Sequence, residues 1–344
     1  MHRTAGFTSN TVPWEILRAA GYDSRLMEDD AGPTPYADRF MEEVFDRRFR
    51  VIFDRLCSGA WNHLNVVVIP RTSEQEHKLY LYLREAARLH ASDHVPRVYL
   101  YNLLHTRSPE SYTYGLDRTR EMVRDFEAAE IRLGEAIVES NRARAAVREI
   151  LQLRRECRLE GSVAMSLIRG FYAEDRHQFA GNVRMQLPAL RCAQAVSRPR
   201  ILIKGAPLKS DVLHRLVEHH GGYVAGEDDW RGSRAAGERD IPLEGDPVVA
   251  IFEKYYYDAV SPRIYPAEAA ETWFQRQIED READGVLFYL PHEDDVEGWR
   301  YPRHLHFLRT RGVPSLLIRD IGLLEPNAES AAQVATFIEG LVRR

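Results

Sequence analysis

Three short polar clusters in this 344-residue chain follow apolar runs that are typical of buried strands. They are residues 71–74 (RTSE), residues 227–234 (EDDWRGSR) and residues 292–295 (HEDD). In open parallel α/β sheets, ligands bind in the crevice outside the carboxyl ends of the strands. We therefore expect ligand-binding side chains in these loops: Thr72, Asp229, Ser233, Arg234, His292 and Glu293. A guanidinium such as that of Arg234 suits a carboxylate or a phosphate.

The third cluster contains the residues that most resemble a metal site. The carboxylates of Glu293 and Asp294 suit Mg²⁺ or Mn²⁺, and the addition of His292 would suit iron or zinc. Acidic residues in such a loop are also the usual composition of a helix N-terminus. Our prediction is that the chain holds no metal, with a site at His292, Glu293 and Asp294 as the alternative.

Standard catalytic motifs are missing from the sequence. It contains no P-loop, no G-x-G-x-x-G and no G-x-S-x-G. His77 lies one helical turn after Ser73, but no third group is evident that would orient it as the base of a nucleophilic serine. The motifs therefore assign no catalytic residue.

Strands that could position these loops are indicated in both halves of the chain. Residues 65–70 and 98–101 have strand patterns in the first half, and residues 201–203, 285–290 and 314–318 have them in the second. Helical patterns alternate with these strands, which predicts a parallel sheet in each half. The most complete unit is residues 200–234, a strand and a helix stopped by Gly221-Gly222, followed by a second strand at 223–225.

The predicted fold class is therefore α/β, with two Rossmann-like parallel-sheet domains and a helical middle segment. The expected boundaries are 1–109 for the N-terminal α/β domain, 110–198 for the helical segment and 199–344 for the C-terminal α/β domain. A single helix is predicted at 37–56 and a strand at 248–252. The arginine-rich run at 142–155 predicts a solvated helix face, with a subunit contact or an anionic ligand as alternatives.

Composition excludes several classes of protein. The net charge of −5 does not favour nucleic acid or an anionic membrane as a partner. No stretch has the length of apolar sequence that a membrane-spanning helix needs, and the first residues lack the apolar core of a signal peptide. Cys57, Cys157 and Cys192 are far apart in sequence, which predicts reduced, buried thiols and a cytoplasmic location.

Four segments, in the right order, resemble the 2-hydroxyacyl-CoA dehydratase / benzoyl-CoA reductase family, in its D-component type of subunit. Residues 12–21 (VPWEILRAAG) are similar to the family's P-x-E-L-x-x-A-A-G, and residues 67–74 (VVIPRTSE) to its strand followed by T-C-D. Residues 200–234 resemble its strand, G-x-P loop, helix, G-G and D-D-x-C-x-G-S-R. Residues 284–302 are similar to its D-G-V-I stretch that ends in F-C-D-P-E-E-W-x-Y-P. The resemblance covers most of the chain.

The resemblance implies a subunit of an iron–sulfur enzyme. In that family three cysteines per subunit hold a [4Fe–4S] cluster, and a separate ATP-driven activator supplies one electron. The cluster passes the electron to the acyl-CoA thioester, and the resulting ketyl radical permits dehydration or reduction of an aromatic ring. Members of the family work as pairs of related subunits.

This chain departs from the family pattern at all three cluster-ligand positions. Ser73 stands at the first position. Trp230 stands at the second when counted back from G-S-R, or Arg231 when counted forward from D-D. Asp294 stands at the third when counted back from W-x-Y-P, or Leu290 when counted from the strand. None of these side chains supplies the thiolate that iron requires.

Three functions are compatible with these residues. The preferred one is a cluster-free subunit that pairs with a homologous [4Fe–4S]-bearing subunit, with a self-dimer as the alternative assembly. The second is a repurposed lyase- or oxidoreductase-like enzyme acting on an acyl thioester or related acid in the former cluster pocket of Ser73, Trp230 and Asp294. The third is a ligand-binding or regulatory protein for an acyl-CoA or a small organic acid. We expect this chain to hold no cofactor.

Overall fold

The computed structural model describes residues 3–28, 32–280, 282–292, 294–320 and 326–343. Contacts between residues divide the chain into two compact units. The first comprises Met1–Asn141, Tyr172–Arg176 and Arg239–Pro266, and the second comprises Arg142–Phe171, His177–Glu238 and Ala267–Arg344. Each unit is built from segments that are separate in the sequence. The expected boundaries at 1–109, 110–198 and 199–344 divide the chain into consecutive segments, and they stay a prediction.

Strands and helices alternate through most of the described residues. The strands are β1 (Arg3–Phe7), β2 (Tyr22–Leu26), β3 (Val66–Pro70), β4 (Arg97–Tyr101), β5 (Arg200–Gly205), β6 (Tyr223–Asp228), β7 (Gly285–Tyr289) and β8 (Ser315–Ile318). The helices are α1 (Trp14–Ala19), α2 (Pro35–Phe40), α3 (Arg47–Cys57), α4 (Glu74–Arg88), α5 (Pro109–Asp125), α6 (Glu130–Arg155), α7 (Gly161–Ala173), α8 (Arg176–Arg191), α9 (Val212–His219), α10 (Pro247–Asp258), α11 (Glu268–Glu279), α12 (Asp295–Thr310) and α13 (Ala328–Val342).

Four parallel strands form the sheet of the first unit, in the order β2-β1-β3-β4. Ala5 of β1 lies opposite Val66 of β3, which lies opposite Arg97 of β4. Every residue of β3 is buried, as expected for a central parallel strand with a continuously apolar sequence. The hydrophobic pattern predicts β3 and β4. It misses β1 (RTAGF) and β2 (YDSRL), because polar side chains interrupt both sequences.

Four parallel strands also form the sheet of the second unit, in the order β6-β5-β7-β8. The two sheets therefore have the same strand order, with β5, β6, β7 and β8 in the places of β1, β2, β3 and β4. At the end of β5, Gly205 adopts a φ of +135°, and a Cβ on it would lie 2.0 Å from the carbonyl oxygen of Tyr289 in β7. Only glycine accommodates that conformation and that approach. The two sheets confirm the predicted α/β class.

The helix predicted at 37–56 is wrong as a single helix, because α2 and α3 are separate. Met41 after α2 has an extended backbone. The helix α3 begins at Arg47 and is capped by Asp46, whose carboxylate accepts a hydrogen bond from the backbone N–H of Arg48 at 2.7 Å. Asp46 is thus an N-cap, which sequence periodicity alone does not reveal.

The strand predicted at 248–252 is also wrong, since these residues lie within α10. Asp246 caps that helix by accepting hydrogen bonds from the backbone N–H groups of Val248 and Val249, and Pro247 occupies its first turn. Phe252 packs closely on α5, where a Cβ at Gly115 would meet the phenyl ring at 2.6 Å. Capping and helix packing thereby outweigh the strand preference of the β-branched run.

The arginine-rich run at 142–155 is not uniformly a solvated face. Arg142 and Arg155 are exposed, but Arg144 and Arg154 are buried, so the prediction is wrong for these two side chains. None of the helices in the described ranges is long and apolar enough to cross a membrane.

Candidate functional site

The crevice of the first sheet lies between the carboxyl ends of β1 and β3. The chain goes from β1 to β2 on one side, and β3 pairs with β1 on the other, which makes this the topological switch point where ligands bind in such sheets. Thr72, after β3, contacts the loop after β1. Its Oγ1 lies 2.8 Å from Ser9 Oγ and also forms a hydrogen bond with Thr11 Oγ1. All three side chains are buried.

Ser73 is the N-cap of α4. Its Oγ accepts a hydrogen bond from the backbone N–H of Glu76 at 3.2 Å, and the Glu76 carboxylate accepts from the N–H groups of Thr72 at 2.9 Å and Ser73 at 3.2 Å. The Thr8 hydroxyl donates to the other carboxylate oxygen of Glu76 at 2.6 Å. This capping box satisfies N–H groups that the first helical turn leaves without an intrahelical partner.

The Glu76 carboxyl group connects the loops that follow β1 and β3 at the crevice of the first unit. Burial raises its pKa, although the hydroxyls of Thr8 and Ser9 and the charge of Arg48 oppose that rise. Helix N-termini readily bind acidic groups, and here the chain itself supplies the carboxyl group of Glu76. Thr72 and Ser73 therefore serve a closed internal network.

A buried ionic network holds the end of β6 in the second unit. Nη1 and Nη2 of Arg154 donate to the two carboxylate oxygens of Glu227 at 2.7 and 2.8 Å, which is a bidentate ion pair. His214 Nε2 lies 2.5 Å from the same carboxylate, and the backbone N–H and hydroxyl of Ser233 donate to it at 3.0 and 3.1 Å. The side chains of Arg154, His214 and Glu227 are at most 1% exposed. Burial opposes ionisation of Glu227, but Arg154 and His214 outweigh it and lower its pKa.

Asp229 organises the loop that follows β6. One carboxylate oxygen accepts hydrogen bonds from the backbone N–H groups of Arg231 at 2.7 Å and Gly232 at 2.8 Å. A Cβ on Gly232 would lie 2.3 Å from Glu227 Oε2, so the turn requires glycine there. Asp229 is 3% exposed. Burial and the neighbouring charge of Glu227 raise its pKa to about 7.

A chain of alternating charges crosses the carboxyl edge of the second sheet. Asp228 binds Arg234 through one carboxylate oxygen at 2.9 Å and Lys204 through the other at 2.7 Å. Lys204 Nζ also lies 3.9 Å from Glu297, which pairs with Arg300 at 3.0 Å. Burial opposes the charge of Lys204, but Asp228 and Glu297 outweigh it and raise its pKa. Arg234, predicted to bind a ligand, is thus held by a carboxylate of the chain itself.

The loop after β7 provides the cap of α12. Asp294 accepts a hydrogen bond from the backbone N–H of Glu297 at 3.1 Å, and His292 is exposed. Glu293 lies outside the described residues. Among the residues that the structure does describe, no group of three His, Cys, Asp or Glu side chains is placed to hold a metal ion. The alternative site of His292, Glu293 and Asp294 includes Glu293 and therefore stays a prediction.

The side chains at the positions that the resemblance assigns to cluster cysteines do not fit an iron–sulfur cluster. Ser73 offers a neutral hydroxyl that caps a helix, Trp230 offers a buried indole, and Asp294 offers a carboxylate that caps another helix. At the alternative positions, Arg231 and Leu290 are both buried. An iron–sulfur cluster requires thiolates, and no side chain at these positions supplies one.

The three cysteines differ in their surroundings. Cys57, the last residue of α3, is buried in an apolar core of the first unit, and this burial raises the pKa of its thiol to about 12. Cys157 is half-buried and Cys192 is exposed, so the prediction of buried thiols is confirmed only for Cys57. All three are free.

The predicted ligand-binding residues fall into separate surroundings. Asp229, Ser233 and Arg234 share one loop of the second unit, where each binds another part of the same network. Thr72 belongs to the hydroxyl cluster of the first unit, and His292 lies after β7.

Several residues of these networks were not predicted, although the sequence contains a recognisable pattern for two of them, Glu76 and Lys204. The sequence Ser73-Glu74-Gln75-Glu76 matches the S-x-x-E pattern of a capping box. Lys204 is a charged residue in an otherwise apolar strand, ILIKG, and such a residue usually has a buried partner. The buried pairing of Arg154 and His214 could not be predicted from the sequence, because each residue lies in an ordinary helical pattern.

The chain matches the family model described as 2-hydroxyglutaryl-CoA dehydratase, D-component, over residues 10–342. It is also similar to the (R)-phenyllactyl-CoA dehydratase beta subunit of Clostridium sporogenes, with 19% identity over 177 residues. That alignment covers 51% of this chain and 47% of the relative, so it spans about half of the relative's length. Because the family model matches nearly the whole chain, this protein belongs to the 2-hydroxyglutaryl-CoA dehydratase D-component family.

Proposed function

We propose that this chain is a cluster-free subunit of a 2-hydroxyacyl-CoA dehydratase- or benzoyl-CoA reductase-like complex, and that it pairs with a homologous subunit carrying a [4Fe–4S] cluster. The observation that carries the proposal is the state of the three ligand positions. Ser73 and Asp294 are occupied as helix caps, and the indole of Trp230 is packed in the interior.

The two closed carboxyl edges support the same proposal. In the first unit, Glu76 binds Thr8 after β1 and Thr72 after β3, on the two sides of the switch-point crevice. In the second, the loop after β6 is bound to Glu227 through Ser233. A cluster pocket needs space beside its ligands, whereas these side chains are engaged with one another. The relative's description as a beta subunit is consistent with a role inside a larger assembly.

Metal analysis tests the missing cluster. The chain is purified under anaerobic conditions, and its iron and acid-labile sulfide are measured beside those of a cysteine-bearing homologue prepared in the same way. We expect iron and sulfide in the homologue and neither in this chain. Stoichiometric iron and sulfide in the isolated chain would overturn the proposal.

Coexpression tests the pairing. The chain is produced together with a cysteine-bearing homologue from the same source, and the masses of the purified species are measured by light scattering. We expect a heteromeric complex that contains the cluster of the partner. A self-dimer that excludes the homologue would contradict this assembly.

One observation favours the second candidate, a repurposed enzyme acting on an acyl thioester or related acid. Asp229 lies in the loop at the former second ligand position, and its pKa is raised to about 7, where a carboxyl group exchanges protons at neutral pH. Turnover of an acyl thioester by the isolated chain, and its loss in Asp229→Asn, would favour this candidate.

The free thiols agree with a reducing compartment such as the cytoplasm.

A further inference from the structure

A cluster of charged side chains lies after β3 in the first unit. It consists of Arg71, which follows the strand directly, Glu74 and His77 from the start of α4, and Arg263 from the segment after α10. We call these four residues the Glu74 cluster. None of the four takes part in the proposed function.

Two guanidinium groups meet at one oxygen of the Glu74 carboxylate. Arg263 Nη1 donates a hydrogen bond to Glu74 Oε1, and Arg71 Nη2 lies 3.7 Å from the same oxygen. That second distance is too long for a hydrogen bond. Within the part of the chain that the structure describes, Nε of Arg71 has no hydrogen-bond partner either. Arg71 therefore shares a single carboxylate with Arg263 and is only weakly paired with it.

The Glu74 cluster carries more positive than negative charge. Its two arginines are cationic at neutral pH, whereas Glu74 supplies one negative charge. Burial lowers the pKa of Arg263, and the neighbouring charge of Arg71 lowers it further. The same two causes lower the pKa of His77, so its imidazole is neutral at pH 7. Repulsion between the two guanidinium groups is therefore only partly offset within the cluster.

The Glu74 cluster is accessible from solvent. The side chain of Glu74 is 62% exposed, and those of Arg71 and Arg263 are 26% and 28% exposed. An ion pair at the surface is worth only about 0–1 kcal/mol, because water solvates the separated charges. An external anion can therefore displace the Glu74 carboxylate from between the two arginines at a small cost.

A phosphate group matches this pair of arginines better than a carboxylate does. It carries a charge of about −1.5 to −2 at neutral pH and three acceptor oxygens, so each guanidinium can bind an oxygen of its own. We propose that Arg71 and Arg263 bind a phosphate group, either the free ion or a monoester on a larger molecule, in place of the Glu74 carboxylate. This binding site goes beyond the proposed function and does not depend on it.

Calorimetric titration of the full chain with inorganic phosphate tests the ligand class. Acetate is the comparison, at matched ionic strength because salt screens exposed charges. We expect phosphate to bind with a Kd on the order of millimolar, as befits so few atoms, and acetate to bind at least about tenfold more weakly. Adenosine monophosphate, a monoester, distinguishes the two sources of the phosphate group. Tighter binding than inorganic phosphate would assign the site to a larger molecule, and equal or weaker binding would assign it to the free ion.

Substitutions within the Glu74 cluster should change the affinity in opposite directions. Glu74→Gln removes the competing carboxylate, and we expect phosphate to bind about 3- to 10-fold more tightly. Arg71→Gln and Arg263→Gln each remove one guanidinium group, and we expect binding about tenfold weaker in each. Thermal unfolding of each variant, with and without phosphate, shows whether it is folded and whether the ligand raises its Tm.

Glu85→Gln and Arg88→Gln are the matched controls, because they make the same changes of charge at an exposed ion pair near the other end of α4. Both should bind phosphate like the unmodified chain. Absence of phosphate binding, equal binding of acetate, or equal effects of the substitutions at Glu74 and Glu85 would overturn the proposal. Each of these results would leave the Glu74 cluster as an ordinary surface ion pair.

Discussion

The hydrogen bonds to the Glu227 carboxylate hold the loop after β6 in place. Arg154 donates two hydrogen bonds to the Glu227 carboxylate, and Ser233 donates to it from the far end of the loop. Pairing of this kind offsets the cost of taking the charges out of water. If one partner is removed, the other remains buried without compensation.

Arg154→Met should therefore be strongly destabilising. We expect the free energy of unfolding to fall by about 3–5 kcal/mol, since Glu227 loses its bidentate partner in the interior. Arg155→Met is the matched control: the neighbouring arginine is 61% exposed and 3.7 Å from Glu282, so its replacement should change stability by less than about 0.5 kcal/mol. Denaturant unfolding measures both. Equal effects at the two positions would contradict the assigned role of Arg154.

Asp229 should make the stability of the chain depend on pH. Its pKa is about 7 in the folded chain against 3.8 for an ordinary aspartate, so the folded state binds the proton more tightly. The resulting stabilisation is complete below about pH 4 and is lost as the pH rises through 7.

Asp229→Asn tests this linkage, because an amide oxygen can still accept from the N–H groups of Arg231 and Gly232. Relative to this variant, the unmodified chain should lose up to about 4 kcal/mol between pH 4 and pH 8. Denaturant unfolding at a series of pH values measures the difference. Parallel profiles for the two proteins would show that Asp229 does not titrate in this range.

Caps decide where several helices and strands begin and end. Ser73 and Glu76 start α4, Asp246 starts α10, and Asp294 starts α12. The strand β6 is longer than its apolar sequence indicates, because Glu227 and Asp228 continue it with buried, paired side chains. The charged residues at its end therefore belong to the interior of the unit.

Ser73→Ala should weaken the start of α4. Loss of the hydroxyl that accepts from the Glu76 N–H should lower the free energy of unfolding by about 1 kcal/mol, the usual effect of removing an N-cap. Ser58→Ala, at the exposed residue that follows α3, is the control and should have little effect. The Tm values of the two variants test this difference, and a loss at Ser58 as large as that at Ser73 would contradict it.

The two units share one strand order, with the first strand of each sheet between the second and the third. Each therefore has a switch point at its carboxyl edge, the usual binding site of such sheets. In each unit, side chains of the chain itself occupy that edge: Glu76 and Thr72 in the first, Lys204 and Asp228 in the second. Family membership accounts for this architecture, and the proposed loss of the cluster accounts for the occupied edges.

Cysteines placed at the three expected ligand positions should not bind a cluster. In the variant Ser73→Cys, Trp230→Cys, Asp294→Cys, the loop after β6 still has one residue fewer than the family's D-D-x-C-x-G-S-R and is still bound to Asp229 and Glu227. We expect no stoichiometric iron after anaerobic reconstitution, together with a loss of stability from the truncated indole. Iron and sulfide analysis measures the outcome, and a filled cluster would show that the loop adapts to its ligands.

The sequence by itself determined the fold class, most of the strands and the family. These properties depend on local apolar patterns and on the identity of single residues. It did not reveal β1 and β2, the helix at 247–258 or the state of the polar side chains. Arg154 and Glu227 are 73 residues apart, and Thr8 and Glu76 are 68 apart, so only the folded backbone brings each pair into contact. The tertiary structure therefore decided which charged residues are solvated and which are buried and paired, because the cost of burial depends on partners that are distant in sequence.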